Sequence, residues 1–243
     1  MVKKPKMVLF DYGQTLINEL YYDGAKGYDA MLEYAVSNPH GVTGEQINIE
    51  VEKFNGEVGR FSPTTRHREF PEITERSISQ YIFALHGVEF DRDLSDFETL
   101  FWDAAAPGEP CRGIVEFLRF LDDEGIRTGV VSNISYCEKS LRRRLERCLP
   151  ESNFELVIAS SEYVFRKPSR HIFEIALLKA GLDAEDVWFC GDQFRCDIEG
   201  ALAVGMTPVW YKEYIRYDQD CEMKSGFEIN SWDELREIMC FNN

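Results

Sequence analysis

Five short apolar segments, each followed by a polar residue or a glycine, restrict this chain to a small set of folds. They are Met7–Phe10, Thr128–Val131, Leu156–Ala159, Val187–Cys190 and Val209–Tyr211. Near-continuous apolar runs of this length are typical of strands buried on both faces of a parallel sheet. Segments with helical periodicity lie between them, such as the one containing Ile114, Phe117, Leu118 and Leu121. The alternation predicts βαβ units and an α/β fold with a doubly wound, Rossmann-like parallel sheet.

Residues 20–106 interrupt this alternation. They contain no convincing strand run, and their helix-like segments are Ala25–Val36, Gly44–Val58, Ile73–Leu85 and Leu94–Ala105. So long a stretch cannot be a simple βα loop, and Pro107-Gly108-Glu109-Pro110 marks the return to the α/β pattern. We therefore predict a core domain of residues 1–19 and 107–243, with an inserted α-helical domain of residues 20–106.

The charge and the cysteines limit the possible partners and the location. The 27 basic and 43 acidic residues of the 243-residue chain give a net charge of −16. This charge repels nucleic acids and anionic membranes, and an anionic substrate would need a local positive centre, such as a metal. Seven cysteines without a C-x-x-C pair argue against a disulfide framework or zinc site, which favours a cytoplasmic location. We predict no signal peptide and no membrane span, and the sequence carries no signal for an oligomeric state.

Three aspartates lie where a parallel sheet places its ligands, beyond the carboxyl ends of the strands. Asp11 follows the first run, and it is either a nucleophile or a solvated or capping residue. Asp192 follows the fourth run, and Asp197 comes five residues later. Three converging carboxylates would repel one another unless a divalent cation lay between them, and hard oxygen ligands favour Mg²⁺. The alternative for Asp197 is a cap of the helix that follows it.

Two further positions offer groups that could bind an oxyanion. Ser132 and Asn133 follow the second run and present a hydroxyl and backbone N–H groups; the alternative is an ordinary helix cap. Lys167, held by Pro168, could neutralise a carboxylate nucleophile and a bound phosphate together; the alternative is a surface lysine.

Taken in order, these segments resemble the four motifs of the haloacid dehalogenase-like hydrolases. The matching residues are Phe10-Asp11-Tyr12-Gly13-Gln14-Thr15-Leu16, Val130-Val131-Ser132-Asn133, Arg166-Lys167-Pro168 with Ile172-Phe173, and Gly191-Asp192-x4-Asp197 with Gly200-Ala201 and Gly205-Met206. The helical insert resembles the α-helical cap of that family.

The resemblance implies roles for the matching residues. Asp11 would attack the phosphorus of a small phosphorylated metabolite, Ser132 and the Asn133 N–H would hold the phosphoryl oxygens, and Lys167 would orient nucleophile and substrate. Mg²⁺ would be held by Asp11, Asp192, Asp197 and the backbone carbonyl at position 13.

The first motif departs from the family pattern at two positions. Gly13 stands where the family's phosphatases carry a second Asp, which acts as general acid and base, and Gln14 replaces the usual glycine. This leaves three expectations open: a Mg²⁺-dependent phosphohydrolase with weak or non-standard activity, another chemistry of the family such as C–P or C–halogen cleavage, or a catalytically silent module that binds phosphate and Mg²⁺.

Two arginine-rich segments complete the candidates. Residues 60–68 contain Arg66 and His67. Arg66 could bind a phosphate or carboxylate of the substrate, and His67 could replace the missing proton donor. The alternative is a solvated loop paired with nearby glutamates such as Glu72. Arg142, Arg143, Arg144 and Arg147 look like an exposed helix face, to which we assign no function.

Overall fold

The computed structural model describes residues 3–60, 71–215 and 221–240. Its strands are β1 (Met7–Phe10), β2 (Ile17–Glu19), β3 (Gly108–Pro110), β4 (Arg127–Ser132), β5 (Leu156–Ala159), β6 (Val187–Gly191), β7 (Thr207–Tyr211) and β8 (Phe227–Ile229). Six of them form one parallel sheet in the order β5-β4-β1-β6-β7-β8. This confirms the predicted α/β class. All five predicted strands belong to the sheet, and β8 was not predicted.

The strand order reverses beside β1, which lies between β4 and β6. Alternate residues of β1 face two helical layers: Val8 and Phe10 belong to one core cluster, and Met7 and Leu9 to the other. The sheet is therefore buried on both faces, as its continuous apolar runs predict. The reversal opens a crevice at the carboxyl ends of β1, β4 and β6, where open α/β sheets bind their ligands.

The helices form the two layers and the insert. They are α1 (Gly24–Leu32), α2 (Gly44–Glu57), α3 (Glu75–Leu85), α4 (Glu98–Ala105), α5 (Ile114–Asp123), α6 (Glu138–Cys148), α7 (Ser160–Tyr163), α8 (Arg170–Ala180), α9 (Gly200–Val204) and α10 (Trp232–Cys240). The apolar faces of α5, α6 and α10 pack on one side of the sheet, and those of α8 and α9 on the other. Among the described residues, no helix combines the length and apolar character of a bilayer-spanning segment.

Helices α1 to α4 lie in the stretch predicted to be helical. The fourth predicted segment is divided into a 3₁₀ turn, Leu94–Asp96, and α4. Helix α1 packs against α2 and α4, and α4 also contacts α6 of the core. We propose that these helices form a cap domain, residues 20–106, on a core of residues 1–19 and 107–243.

A two-stranded antiparallel sheet, which the sequence does not predict, brackets the insert where residues 107–110 return to the α/β pattern. Strands β2 and β3 pair antiparallel, with Ile17 opposite Pro110 and Glu19 opposite Gly108. A Cβ at Gly108 would come within 2.6 Å of the Ile17 side chain, so glycine permits this close pairing. The chain thus enters and leaves the insert side by side.

An aromatic cluster fixes α10 to the sheet. The Trp232 side chain stacks on Tyr211 and Phe117, with ring centroids 4.4 and 5.2 Å away, and meets the Phe10 ring edge-on at 5.7 Å. Trp232 is fully buried. Because Phe10 immediately precedes Asp11, this packing fixes the carboxyl end of β1 against α10.

We expect Trp232→Ala to lower the free energy of unfolding by about 3–5 kcal/mol, because it removes a fully buried aromatic side chain and leaves a cavity. Urea unfolding followed by circular dichroism measures this change. Leu178→Ala is the control, since Leu178 is 82% exposed and should change stability by no more than about 0.5 kcal/mol. Equal effects of the two substitutions would contradict the packing described.

Candidate active site

Asp11 lies at the carboxyl end of β1, at the start of a tight loop. Its backbone N–H donates to the Cys190 carbonyl of β6 at 2.8 Å, and the residue is 6% exposed. The Tyr12 carbonyl accepts hydrogen bonds from the Leu16 and Ile17 N–H groups, at 3.0 Å each. The loop therefore turns back on itself immediately after the aspartate and presents its carboxylate at the sheet edge.

Gln14 adopts a left-handed backbone conformation, with φ of 57°. This conformation costs a non-glycine residue about 1–2 kcal/mol, which explains why a glycine suits this position. Gly13 has ordinary negative φ, and a Cβ built on it meets no atom within 4 Å. A side chain could therefore be accommodated at position 13.

Lys167 joins two of the three predicted carboxylates. Its Nζ donates to Asp11 Oδ1 at 2.6 Å and lies 2.7 Å from Asp197 Oδ1. The lysine is 3% exposed, so it is not the surface lysine of our alternative interpretation. Burial disfavours its charge, but the negative charges of Asp11 and Asp197 outweigh burial and raise the Lys167 pKa. The side chain is a fixed ammonium beside the candidate nucleophile.

Asn133 holds the backbone of Lys167 in place. Its side-chain Oδ1 accepts from the Lys167 N–H at 2.7 Å, and its Nδ2 donates to the Lys167 carbonyl at 2.9 Å. This pair of bonds ties the residue after β4 to the residue that carries the ammonium. The sequence predicts a role for the backbone N–H of Asn133 only, so it does not reveal this function of the side chain.

Asp197 lies inside a π-helical turn, Phe194–Glu199, that leads into α9. Our alternative interpretation of it as the cap of the following helix is therefore wrong. Its Oδ2 accepts from the Gln193 N–H at 2.9 Å. A Cβ at Gly191 would collide with the Asp197 carboxyl group, so glycine at the end of β6 lets this carboxylate reach the site.

Asp192 completes the acidic cluster. Asp11, Asp192 and Asp197 each offer an oxygen within 4.8 Å of those of the other two, and all three residues are buried. Burial and the charges of Asp197 and Asp11 raise the Asp192 pKa well above its ordinary value. Burial and the charge of Asp11 likewise raise the Asp197 pKa, against the opposing effect of Lys167.

The donor set fits a hard divalent cation. Among the residues that the structure describes, the cluster consists of carboxylates alone, with no histidine or thiolate ligand, and such oxygen ligands are those that Mg²⁺ prefers. Three buried carboxylates lie close together, and the Lys167 ammonium contacts those of Asp11 and Asp197, so the three negative charges repel one another when all are ionised. A divalent cation would remove this repulsion, whereas Zn²⁺ normally takes nitrogen or sulfur ligands.

A cavity of about 270 Å³ opens onto this cluster. Its lining includes the predicted residues Asp11, Gly13, Ser132, Asn133, Lys167, Asp192 and Asp197, together with Gln14 and Glu19. Arg66 and His67 lie outside the described residues, so their assignment stays a prediction. The structure thus brings together every candidate that it describes.

A buried ionic cluster joins the insert to the loop before Lys167. Glu72, whose side chain is fully buried, pairs with Arg60 at 2.9 Å and with Arg166. The Glu72 carboxylate also accepts from the Ser160 hydroxyl at 2.6 Å. The alternative interpretation of this segment, a solvated loop paired with glutamates such as Glu72, is correct about the pairing of Arg60 with Glu72 but wrong about its exposure, because the pair is buried. Nothing in the sequence distinguishes Glu72 from neighbouring surface glutamates.

Comparison with known proteins identifies the family. The family model described as haloacid dehalogenase-like hydrolase matches residues 5–205. The chain belongs to the haloacid dehalogenase-like hydrolases. The match extends from β1 through α9, and so includes the sheet edge that carries the acidic cluster as well as the helical insert.

Relatives and solved structures extend this identification. The chain is 32% identical to a glyceraldehyde 3-phosphate phosphatase of Pyrococcus furiosus over 124 residues, 49% of this chain and 50% of that protein. It is 28% identical to the pyrimidine 5'-nucleotidase YjjG of Escherichia coli, over 54% of this chain and 57% of that one. The chain thus spans about half the length of these curated relatives. A 2-haloacid dehalogenase from Pseudomonas syringae pv. Tomato DC3000 shares the fold over the whole of both chains, with a TM-score of 0.64 and 20% identity.

We expect Asp192→Asn to stabilise the metal-free protein, because it removes a buried carboxylate that Asp11 and Asp197 repel. The substitution should also abolish stabilisation by Mg²⁺, which in the unmodified chain is about 2.7 kcal/mol at 100 times the dissociation constant. Thermal unfolding at pH 7 with EDTA or with Mg²⁺ measures both effects.

Asp186→Asn is the matched control for this experiment. Asp186 directly precedes β6, at the end opposite Asp192, and pairs there with Lys3 and Lys6. Its replacement should leave the Mg²⁺ response intact. A full response in Asp192→Asn would remove Asp192 from the cation ligands.

Proposed function

We propose that this protein is a Mg²⁺-dependent phosphohydrolase that acts on small phosphorylated metabolites through an aspartyl-phosphate on Asp11. The observation that carries the proposal is the Lys167 ammonium, held 2.6 Å from Asp11 and 2.7 Å from Asp197 in the lining of a cavity. A fixed cation beside a buried carboxylate suits attack on an anionic phosphoryl group. The relatives named as phosphatase and nucleotidase support the same chemistry.

The first step joins an Asp11 oxygen to phosphorus and releases the leaving group with the electrons of its P–O bond. Lys167 donates a hydrogen bond to Asp11 and offers positive charge to the phosphoryl oxygens, which Ser132 and the Asn133 N–H also contact. In the second step water attacks the phosphorus, and the P–O bond to Asp11 breaks to give phosphate and the free carboxylate.

Asp11, Asp192, Asp197 and the Gly13 carbonyl would hold Mg²⁺. When bound, the ion supplies positive charge that offsets the repulsion between these carboxylates and an anionic substrate. The ligands come from the loop after β1 and from the loop and turn after β6, which the parallel pairing of the two strands brings together.

Gly13 limits which substrates react well. It has no group that can protonate the leaving oxygen, a contribution typically worth about 10²–10⁴-fold in rate. Substrates whose leaving group departs without a proton should therefore be preferred. We also propose that Arg66 binds the anionic substrate. His67 is the alternative proton donor.

We expect Mg²⁺-dependent phosphate release from p-nitrophenyl phosphate, and release from alkyl phosphates slower by about 100-fold or more, because only the aryl oxygen leaves readily without protonation. Assays with Mg²⁺ or EDTA test this, with Asp11→Asn as the inactive control. Binding of Mg²⁺ without any hydrolysis would favour the silent module. Halide release from 2-haloacids would favour the dehalogenase chemistry, and activity in Asp11→Asn would exclude Asp11 as the nucleophile.

We expect Gly13→Asp to raise kcat for alkyl phosphates by about 10²-fold or more, since it restores a carboxyl group where a Cβ meets open space. The gain for p-nitrophenyl phosphate should be much smaller. The ratio of the two rates in the variant and the parent measures this. An unchanged ratio would contradict the proposed lack of a proton donor, and a rate loss in His67→Gln would then place the donor at His67.

A further inference from the structure

Arg144 of α6 lies fully inside the protein, which corrects our interpretation of its cluster as an exposed helix face. Its side chain is 0% exposed. Its Nε donates to the Tyr12 hydroxyl at 2.6 Å, its Nη1 donates to Asp103 Oδ1 at 2.6 Å, and its Nη2 donates to the Ala106 carbonyl. One guanidinium therefore contacts the loop that carries Asp11 and the end of the insert's last helix.

The same guanidinium also lies against the two-stranded sheet, β2 and β3, that brackets the insert. Its Nη2 is 3.6 Å from Glu19 Oε1, and its central carbon lies 4.6 Å from the centre of the Trp102 ring. Trp102 Nε1 donates to the same Glu19 oxygen at 2.7 Å. A Cβ at Gly108 would come within 3.1 Å of Nη2. Both connections between core and insert thus pack around Arg144.

Tyr12 transmits these contacts to the active site. It directly follows Asp11, it is 2% exposed, and its ring lies 5.0 Å from that of Trp102. Its carbonyl accepts hydrogen bonds from the Leu16 and Ile17 N–H groups. These bonds close the loop of residues 11–16 between β1 and β2, here called the nucleophile loop. A shift of the Tyr12 ring would therefore move the backbone next to the Asp11 carboxylate.

We propose that Arg144 is a positioning residue of the active site, which fixes the nucleophile loop to the two connections between core and insert. A buried ion pair by itself is weak evidence for a stabilising role. The planar fork of arginine, in contrast, holds several partners in one defined geometry, which the single ammonium of lysine cannot reproduce. The kinetic test below rests on the proposed phosphohydrolase activity.

Arg144→Lys and Tyr12→Phe, singly and together, test the proposal with p-nitrophenyl phosphate as substrate. Misplacement of a reacting group by about 1 Å can cost about 100-fold in rate. We expect Arg144→Lys to lower kcat by about 10- to 100-fold with little change in KM, and Tyr12→Phe to lower it by a smaller factor. The double variant should be no slower than Arg144→Lys, because both remove the same contact. Arg147→Gln is the control: Arg147 also pairs with Asp103, but its side chain is 50% exposed, and its kcat should stay unchanged.

Amide hydrogen exchange provides a readout that does not depend on turnover. The Gln14, Leu16 and Ile17 amides, which bond within the nucleophile loop, should exchange faster in both single variants. The Ile158 amide in β5 should not change. If the unmodified protein does not hydrolyse the substrate, the proposed function fails and exchange alone decides the role of Arg144. Unchanged loop exchange, unchanged kcat in Arg144→Lys, or additive losses in the double variant would each overturn the proposal.

Discussion

The site depends on one ammonium group, that of Lys167, between Asp11 and Asp197. Without its positive charge, the repulsion among the three buried carboxylates at the edge of the sheet would be stronger. Parallel pairing of β1 with β6 brings two of the acidic segments together, and Asn133 at the end of β4 holds the lysine backbone opposite them. The order of the strands therefore brings the carboxylates and the ammonium to one edge of the sheet, and their charges favour the binding of a cation there.

This arrangement costs stability in the metal-free protein. Burial and the charges of Asp197 and Asp11 raise the Asp192 pKa, so the folded site disfavours the ionised form of this carboxyl group. Gln14 adds backbone strain in the loop after β1. The aromatic packing of Trp232 beneath β1 offsets such costs from the other side of the strand. Perturbed carboxylates at a cavity are characteristic of functional sites, and here geometry and charge agree on the place.

The sequence predicted the parts that depend on local pattern. The five long strands are apolar runs, and the polar residues after them meet because parallel strands end at one edge. Strands β2, β3 and β8 have three residues each, too few for a period to show. Arg144 lies on the same stripe of α6 as the buried Leu141 and Leu145, so helical spacing carried a signal that its neighbouring arginines obscured. The burial of Glu72 depends on the insert folding against Arg166, which no local pattern encodes.

Anomalous diffraction from crystals soaked in Mn²⁺, which binds the same oxygen ligands as Mg²⁺, tests the central claim most directly. The account predicts one strong peak within coordinating distance of carboxylate oxygens of both Asp11 and Asp192, with Lys167 still bonded to Asp11. A cation bound elsewhere, or a cluster that stays empty at saturating Mn²⁺, would contradict it.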